Sequence, residues 1–353
     1  MKAQLIYNPA AGPRDVSEDL DKVIDMLRSH GWQVSLRQTL GPGDAVTYAR
    51  EAVAEGCEIA VAVGGDGTLG EVASGLAGSE CALGVLPVGT GNVWAHMLGL
   101  PIWTPLYRSA LMDAALILLK GERRRIDLGR TGERYFVLWA GVGFDAQIAY
   151  EVEPHREIRR SLGNFTYVIA ALVTSLRLRG SRVTVSIDGK AFRQRALLIL
   201  VTNAQLYGHS WRLAPQAQLD DGLLEVYIFK GDNTLDVIRH FILLLLGKHH
   251  RDPRVEHYQA HTVEIRGEKP LPVHLDGDPS GYTPLHIEIA PQALWVIVPS
   301  WASGSLFRGG KEEEQLSLAQ RIAERLRYER ERWRKEGARL RDGLGRHLRN
   351  KGE

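Results

Sequence analysis

Three short runs in this chain carry residue types suited to handling a phosphate. Gly64-Gly65-Asp66-Gly67-Thr68 follows the apolar run Ile59 to Val63 and leads into a helical pattern. Glycines let the backbone turn sharply and approach an anion with no side chain in the way, and the N–H groups at a helix start favour that charge. In such a cradle Asp66 would hold Mg²⁺ or orient the phosphates, and Thr68 would hydrogen-bond a phosphate oxygen. Read alone, the run is no more than a turn joining strand to helix. It has company, however. Leu86-Pro87-Val88-Gly89-Thr90-Gly91-Asn92 closes the next apolar run, and Asn8-Pro9-Ala10-Ala11-Gly12 closes the first. Neighbouring strand ends in an open α/β sheet form one crevice, which is where such sheets bind ligands.

Two further carboxylate turns lie downstream, Asp220-Asp221-Gly222 and Asp276-Gly277-Asp278. By local chemistry alone each is a hairpin turn. His249, His250 and His257 lack metal-ligand spacing with acidic partners, and no zinc or nucleic-acid motif is present. Cys57 and Cys81 each precede an apolar run, Glu58 to Val63 and Ala82 to Leu86, which reads as two reduced thiols in a core.

The elements that would position these runs follow from periodicity. Gln4 to Tyr7, Gln33 to Gln38, Ile59 to Val63 and Leu83 to Leu86 read as strands. Helical stripes over Val16 to Ser29 (Leu20, Val23, Ile24, Leu27), Ala45 to Glu55 and Glu71 to Leu76 alternate with them. Such alternation predicts a parallel sheet covered on both faces. After about Asp127 the pattern changes. Tyr135 to Leu138, Val183 to Ile187, Ala196 to Thr202, Leu223 to Phe229, Thr262 to Arg266, Pro272 to Leu275 and Leu285 to Ile289 are short strands between turn residues. Strand after strand predicts an antiparallel sandwich, here with helical inserts near Phe165 to Leu178 and Thr234 to Leu246. The spacing therefore places an α/β domain over 1–127, a β-sandwich over 128–290, and a tail over 301–353.

With 353 residues, 44% of them apolar and 24% charged, the composition is that of a soluble globular protein. A net charge of +2 hides an asymmetry, since residues 308–353 hold 14 Lys/Arg against 9 Asp/Glu. The N-terminus reads as a strand rather than an export signal, and the longest apolar runs, Phe165 to Leu176 and Phe241 to Leu246, are short of the ~20 residues a spanning helix needs. A cytoplasmic protein is expected, with peripheral contact to a membrane.

Taken together and in this order, Asn8 to Gly12, the Gly-Gly-Asp-Gly-Thr run and the Leu86 to Asn92 loop resemble the diacylglycerol kinase catalytic family, which includes bacterial diacylglycerol kinases and sphingosine kinases. The resemblance continues through Gly141-Val142-Gly143-Phe144-Asp145, Asp220 to Leu224 and Leu275 to Asp278, covering about residues 1 to 300. It implies an N-terminal three-layer domain like that of phosphofructokinases and NAD kinases, a C-terminal antiparallel β-sandwich, and a last strand, Leu294 to Val298, returning to the first domain within 291–300. It implies ATP and Mg²⁺ as cofactors and a lipid hydroxyl as acceptor, diacylglycerol first and a sphingoid base or another lipid second. Nucleotide contacts carry over to Asn8, Thr39, Gly64, Gly65, Asp66, Gly67, Thr68, Leu69, Gly70, Gly89, Thr90 and Asn92. Thr39 matches through its setting, Arg37-Gln38-Thr39 ahead of Gly43-Asp44-Ala45. A structural Mg²⁺ carries over to Asp221 with the carbonyls of Gln218 and Leu223, a set suited to a hard cation. The general base carries over to Asp278, with Asp66 the other catalytic carboxylate.

Three positions depart from the family pattern. Gly70 replaces a usual Asn, and Val93 replaces an Asp after Asn92, which implies weakened ATP binding. Asp278 replaces a Glu, shortening the reach of the base by roughly 1.5 Å. Two rivals stay open, an NAD kinase-like enzyme and a nucleotide- and lipid-binding relative without catalysis.

At the lipid end, Phe165 to Leu176 lies between Arg156, Arg159, Arg160 and Arg177, Arg179, Arg182, which suits either an interfacial helix or a basic-capped core helix. The tail repeats Ile322, Leu326, Trp333, Leu340, Leu344 and Leu348 as one helical stripe. A solvated helix, a coiled coil making a homodimer, and a basic amphipathic helix on a membrane all fit it. The basic excess and Trp333 favour the membrane.

Overall fold

The computed structural model describes residues 1–12, 14–104, 107–152, 180–208, 211–302 and 304–309. The helix expected over 165–178 and the tail stripe from Ile322 onward lie outside them. The expected parallel sheet is formed by β1 (Lys2–Tyr7), β2 (Gln33–Gln38), β3 (Ile59–Gly64) and β4 (Ala82–Pro87), in the order β4-β3-β1-β2. Leu5 pairs with both Leu36 and Val61, and Val61 pairs with Gly84. β3 and β4 are buried along their whole lengths, because helices cover both faces of a parallel sheet.

Those helices are α1 (Ser17–Ser29), α2 (Asp44–Ala54), α3 (Asp66–Leu76), α4 (Val93–Leu98) and α5 (Ala110–Lys120). The α1 stripe Leu20, Val23, Ile24 and Leu27 packs with Leu111 and Leu118 of α5 against Leu5 and Val61. On the opposite face Ala49 of α2, Val72 of α3 and Trp94 of α4 pack with Ile6 and Ala60. Sequence periodicity placed the start of α3 at Glu71. The helix begins instead at Asp66, so the glycine run forms its first turn and Gly65 its N-cap. Helices α4 and α5 were not anticipated. α5 is apolar nearly all round, Ala-Leu-Met-Asp-Ala-Ala-Leu-Ile-Leu-Leu, and so carries no polar face to mark a stripe.

The second half is a β-sandwich-like domain. Its strands are β5 (Glu122–Thr131), β6 (Arg134–Phe136), β7 (Trp139–Gly143), β8 (Ser181–Ile187), β9 (Lys190–Thr202), β10 (Leu206–Tyr207), β11 (Trp211–Arg212), β12 (Leu224–Lys230), β13 (Val255–Ala260), β14 (Thr262–Gly267), β15 (Pro272–Leu275), β16 (Asp278–Tyr282) and β17 (Leu285–Val298). Val142, Val185, Ile199, Val226, Ile265 and Ile287 fill the interior between them. Helix α6 (Phe144–Val152) follows β7, and α7 (Thr234–Leu245) lies between β12 and β13. Asn233 caps α7, its Oδ1 accepting from the N–H groups of Leu235 and Asp236.

Leu285 to Ile289 and Leu294 to Val298 are one strand, β17, with an irregularity between Ala290 and Leu294. It pairs with β14, runs antiparallel to β5 along its length, and reaches the first sheet where Val296 pairs in parallel with Leu83 of β4. The change in sequence grammar near Asp127 therefore falls inside a strand pair rather than in a linker.

Candidate functional site

Four strand ends of the parallel sheet converge on one cleft. Asn8 follows β1, where its N–H donates to the Val63 carbonyl of β3 (3.0 Å). Its side chain then bridges outward. Nδ2 donates to Thr68 Oγ1 (2.9 Å) and Oδ1 accepts from Ala10 N–H (2.9 Å). Thr39, at the end of β2, is buried with its N–H on the Tyr7 carbonyl (2.9 Å). The glycines supply the close approach between loops. A Cβ on Gly89 would stand 2.4 Å from the Gly65 Cα, and one on Gly12, at φ +75°, would stand 1.9 Å from the Val88 carbonyl oxygen. Only backbone fits between these turns, and the first-turn N–H groups of α3, which begins at Asp66, have no carbonyl acceptor within the helix.

Asp66 has a different position from the one the motif suggests. Its Oδ2 accepts from Val93 N–H (3.0 Å) and its Oδ1 from Trp94 N–H (3.2 Å), capping α4 and tying the two glycine loops together. Burial raises its carboxyl above the ordinary range, and these amide donors oppose the rise. The two Val93 and Trp94 amides thus receive a carboxylate without any side chain from position 93. Leu69 points away from the cleft and is buried in the core. Asn92, at φ +50°, donates from Nδ2 to the Gly89 carbonyl (2.7 Å) and shapes the second loop from behind.

The Asp276-Gly277-Asp278 turn is brought to the same place by β15, which pairs with β7 through Leu275 and Ala140. Asp276 (φ +50°) is buried and its carboxylate accepts three backbone N–H groups, from Val137 (2.9 Å), Leu138 (2.9 Å) and Trp139 (3.0 Å). Asp278 stands over the first turn of α3, its Oδ2 2.8 Å from where a Cβ on Gly67 would lie. A Cβ on Gly70 would lie 2.9 Å from Asp276 Oδ2, so the absence of a side chain there leaves Asp276 to the backbone amides. Glu71 accepts from Gly43 N–H (3.1 Å), and burial, with Asp278 contributing, raises its carboxyl.

Two residues that motif reading left out of the site complete this wall. His274 Nε2 lies 2.7 Å from Asp145 Oδ2, which also accepts from the Tyr207 hydroxyl (3.2 Å). The other ring nitrogen, Nδ1, accepts from Gly277 N–H (3.2 Å), so Nε2 carries the proton and donates to Asp145. His274 thereby links α6 to the turn that bears Asp278. The signal in the sequence was Asp145 at the end of Gly-Val-Gly-Phe-Asp. Nothing marked His274.

Burial pushes the Asp276 carboxyl up to about 6 from its usual 3.8, against the pull of its three amide donors. Between pH 4 and 6 the folded protein keeps a proton that the unfolded chain has lost, so this group makes stability fall as pH rises through that window. Expressed as wild type minus Asp276→Asn, unfolding free energy is expected to drop by on the order of 3 kcal/mol between pH 4 and pH 7. Urea melts of both proteins at each pH measure it; a difference that does not change with pH would refute the assignment.

The Asp220-Asp221-Gly222 turn lies elsewhere, between Leu219 and β12. Asp127, wholly buried, accepts from Gly222 N–H (2.6 Å) and Gln292 N–H (2.7 Å), while Asp221 Oδ1 accepts from Leu223 N–H (3.0 Å). Burial first, and the neighbouring acids second, raise the Asp221 carboxyl. Among the described residues no cluster of three or more His, Cys, Asp or Glu side chains could hold a metal ion. A cation at this turn would depend on Asp221 and carbonyl groups.

Asn8, Thr39, Gly65, Thr68, Thr90 and Asp278 all border one cavity of about 1790 Å³. Its far end is apolar, walled by Leu200, Phe229 and, on α7, Val237, Phe241 and Leu244. Single small-molecule pockets usually span ~300–1,000 Å³, so this cavity has room for more than one small molecule. The glycine-lined cleft, on an α/β domain joined to a β-sandwich-like domain, lies in a chain that two family models cover. Residues 2–131 match the diacylglycerol kinase catalytic domain, and residues 139–298 match the YegS C-terminal NAD kinase beta sandwich-like domain. The chain is 31% identical to a diacylglycerol kinase of Bacillus subtilis over 300 residues, 84% of this chain and 96% of that one. It is 28% identical to a diacylglycerol kinase of Staphylococcus carnosus, over 84% of this chain and 95% of that one. A crystal structure of a diacylglycerol kinase from Bacillus anthracis superposes with a TM-score of 0.69 at 25% identity, covering 85% of this chain and 97% of that one. The chain belongs to the diacylglycerol kinase family.

Proposed function

We propose that this protein transfers the γ-phosphate of ATP to the hydroxyl of a membrane lipid, with diacylglycerol as the acceptor. The observation that carries the reading is the single cleft. It sets the glycine cradle beside the Asp278 carboxylate and continues into an apolar end large enough for acyl chains. The cradle fits a polyphosphate because side chains are missing where backbone amides must approach it. Mg²⁺ bound with the nucleotide would supply neutralisation of phosphate charge.

This chain's own residues do the rest. The amides of the α3 first turn and of Thr90 hold the phosphate oxygens, with Asn8 fixing Thr68. Asp66 locks the two loops at one separation. Asp278 takes the proton from the lipid hydroxyl as that oxygen bonds to the γ-phosphorus and the bond to the β-phosphate oxygen breaks, releasing ADP. Asp276 and His274 hold the turn so that Asp278 keeps its position over Gly67. Labelled ATP offered with a panel of diacylglycerols, sphingoid bases and NAD tests the reading. Label in diacylglycerol supports it, and label in NAD alone, or in no acceptor while ATP binds, overturns it.

The Asp221 turn is assigned a structural Mg²⁺, supported by the raised carboxyl and the acidic neighbours that a cation would relieve. Millimolar Mg²⁺ without nucleotide is expected to raise the thermal midpoint of the wild type by a few degrees, worth about 1–2 kcal/mol. Asp221→Ala should lose that response. An equal shift in both proteins would sink the assignment.

A further inference from the structure

Helix α7 is arranged inside out. A surface helix ordinarily turns its apolar stripe to the core and its polar side to water. In α7 the side chains turned inward include Asp236 and His240, both buried. Asp236 forms an ion pair with Arg254 and accepts from Asp232 N–H, and His240 Nε2 binds the Lys230 carbonyl (2.7 Å). Turned outward are Leu235 (76% exposed), Ile238, Ile242, Leu245 and, just past the helix end, Leu246 (61% exposed). The spacing of Leu235, Ile238, Ile242 and Leu245 at three and four residues puts them on one side. A continuous apolar strip of this kind marks an interaction surface.

Two observations say what covers it. The strip borders the cleft, since Val237, Ile238, Phe241 and Leu244 of the same helix form the cleft wall, and Phe241 packs edge-on against Trp211 at 5.3 Å. The charge beside it is positive. Arg239 and Arg254 are neutralised by Asp252 and Asp236, but Lys248 and Arg251, just beyond the helix, are exposed and have no carboxylate partner among the described residues. Apolar residues with a cationic margin suit the surface of an anionic bilayer.

We propose that α7 docks the protein on a membrane containing anionic phospholipid, lying in the interface with Leu235, Ile242, Leu245 and Leu246 among the acyl chains. A lipid leaving the bilayer would then pass Ile238 and Phe241 into the apolar end of the cleft. The proposal deepens the lipid-kinase reading and rests on it for that last step, but docking itself needs no catalysis.

The test uses the full chain and the variant Leu235→Ser/Ile242→Ser/Leu245→Ser, none of which lines the cleft. Flotation with equimolar phosphatidylglycerol and phosphatidylcholine vesicles is expected to show at least about a tenfold loss of binding, with ATP affinity unchanged. Because the replaced side chains face water in the free protein, the thermal midpoint should not fall. A second variant, Lys248→Glu/Arg251→Glu, should abolish any preference over phosphatidylcholine vesicles, and it keeps the test intact if the first misfolds. Vesicle binding equal to wild type in both variants overturns the proposal. So does a wild-type dimer that the serine variant converts to monomer with vesicle binding retained, since the strip would then cover a second copy. If wild type phosphorylates no lipid yet binds vesicles through α7, docking stands and the kinase reading falls.

Discussion

Asp278→Asn is expected to lower phosphoryl transfer about 10²–10⁴-fold while leaving ATP affinity within about twofold. The amide keeps the size of the carboxylate but cannot accept a proton. Gly65 and Gly89 meet backbone to backbone, so the close approach of the two glycine turns involves no Asp278 atom. Single-turnover transfer from labelled ATP, with ATP binding measured in parallel, separates the two effects. Retention of a third or more of wild-type transfer would remove Asp278 from the role of base. The companion variant Asp278→Glu lengthens the arm by roughly 1.5 Å. The carboxylate and its acid–base chemistry are kept, and transfer is expected to stay within about tenfold of wild type. An inert wild type beside an active Asp278→Glu would mean that the shorter carboxylate stands too far from the acceptor oxygen.

Gly89→Ala is expected to weaken ATP binding by about 100-fold or more, because a shift near 1 Å in a preorganised site has consequences of that size. Its Cβ would fall 2.4 Å from the Gly65 Cα, 3.0 Å from the Gly65 nitrogen and 2.9 Å from Asn92 Oδ1. Two of those atoms are backbone, so the glycine loops must separate, and the bonds from Asp66 to Val93 and Trp94 must stretch with them. Gly78→Ala is the control. Gly78 has φ +78° and open space around it, so alanine there adds strain of ~1–2 kcal/mol without touching the cradle. Calorimetric titration with ATP distinguishes the two, and equal affinities for both variants would refute the close-packed cradle.

Much of the fold was legible because it is written in local periods. The helical stripe of α1 and the apolar run of β3 gave their elements to within a residue or two. The returning strand at Leu294 to Val298 was implied by the family resemblance rather than by a local period, and it reaches β4 through Val296. Where reading failed, the local signal was silent or ambiguous. α5 has no polar face, β17 was split by its irregular stretch, and Asp66-Gly67-Thr68 looked like loop because glycine is a poor helix former. Val93 illustrates a departure made intelligible. The position contributes its backbone N–H to Asp66, and that contact does not ask for a particular side chain.

By itself the sequence determined that glycine-rich turns close strands of one sheet, and that a carboxylate turn far downstream accompanies them. Those are properties of short segments, set by glycine's freedom and by alternation along a strand. Only the tertiary structure decided which partner each carboxylate has. Asp66 turns to the α4 amides, Asp276 to three amides of the β6–β7 corner, and Asp278 to the bare face of Gly67. Such pairings depend on the register of β15 against β7 and on how β17 joins the two sheets. They arise between residues far apart in the chain, so no local pattern encodes them. The same holds for α7, read in the sequence only as a helical insert, whose apolar side faces outward while Asp236 and His240 bond inward.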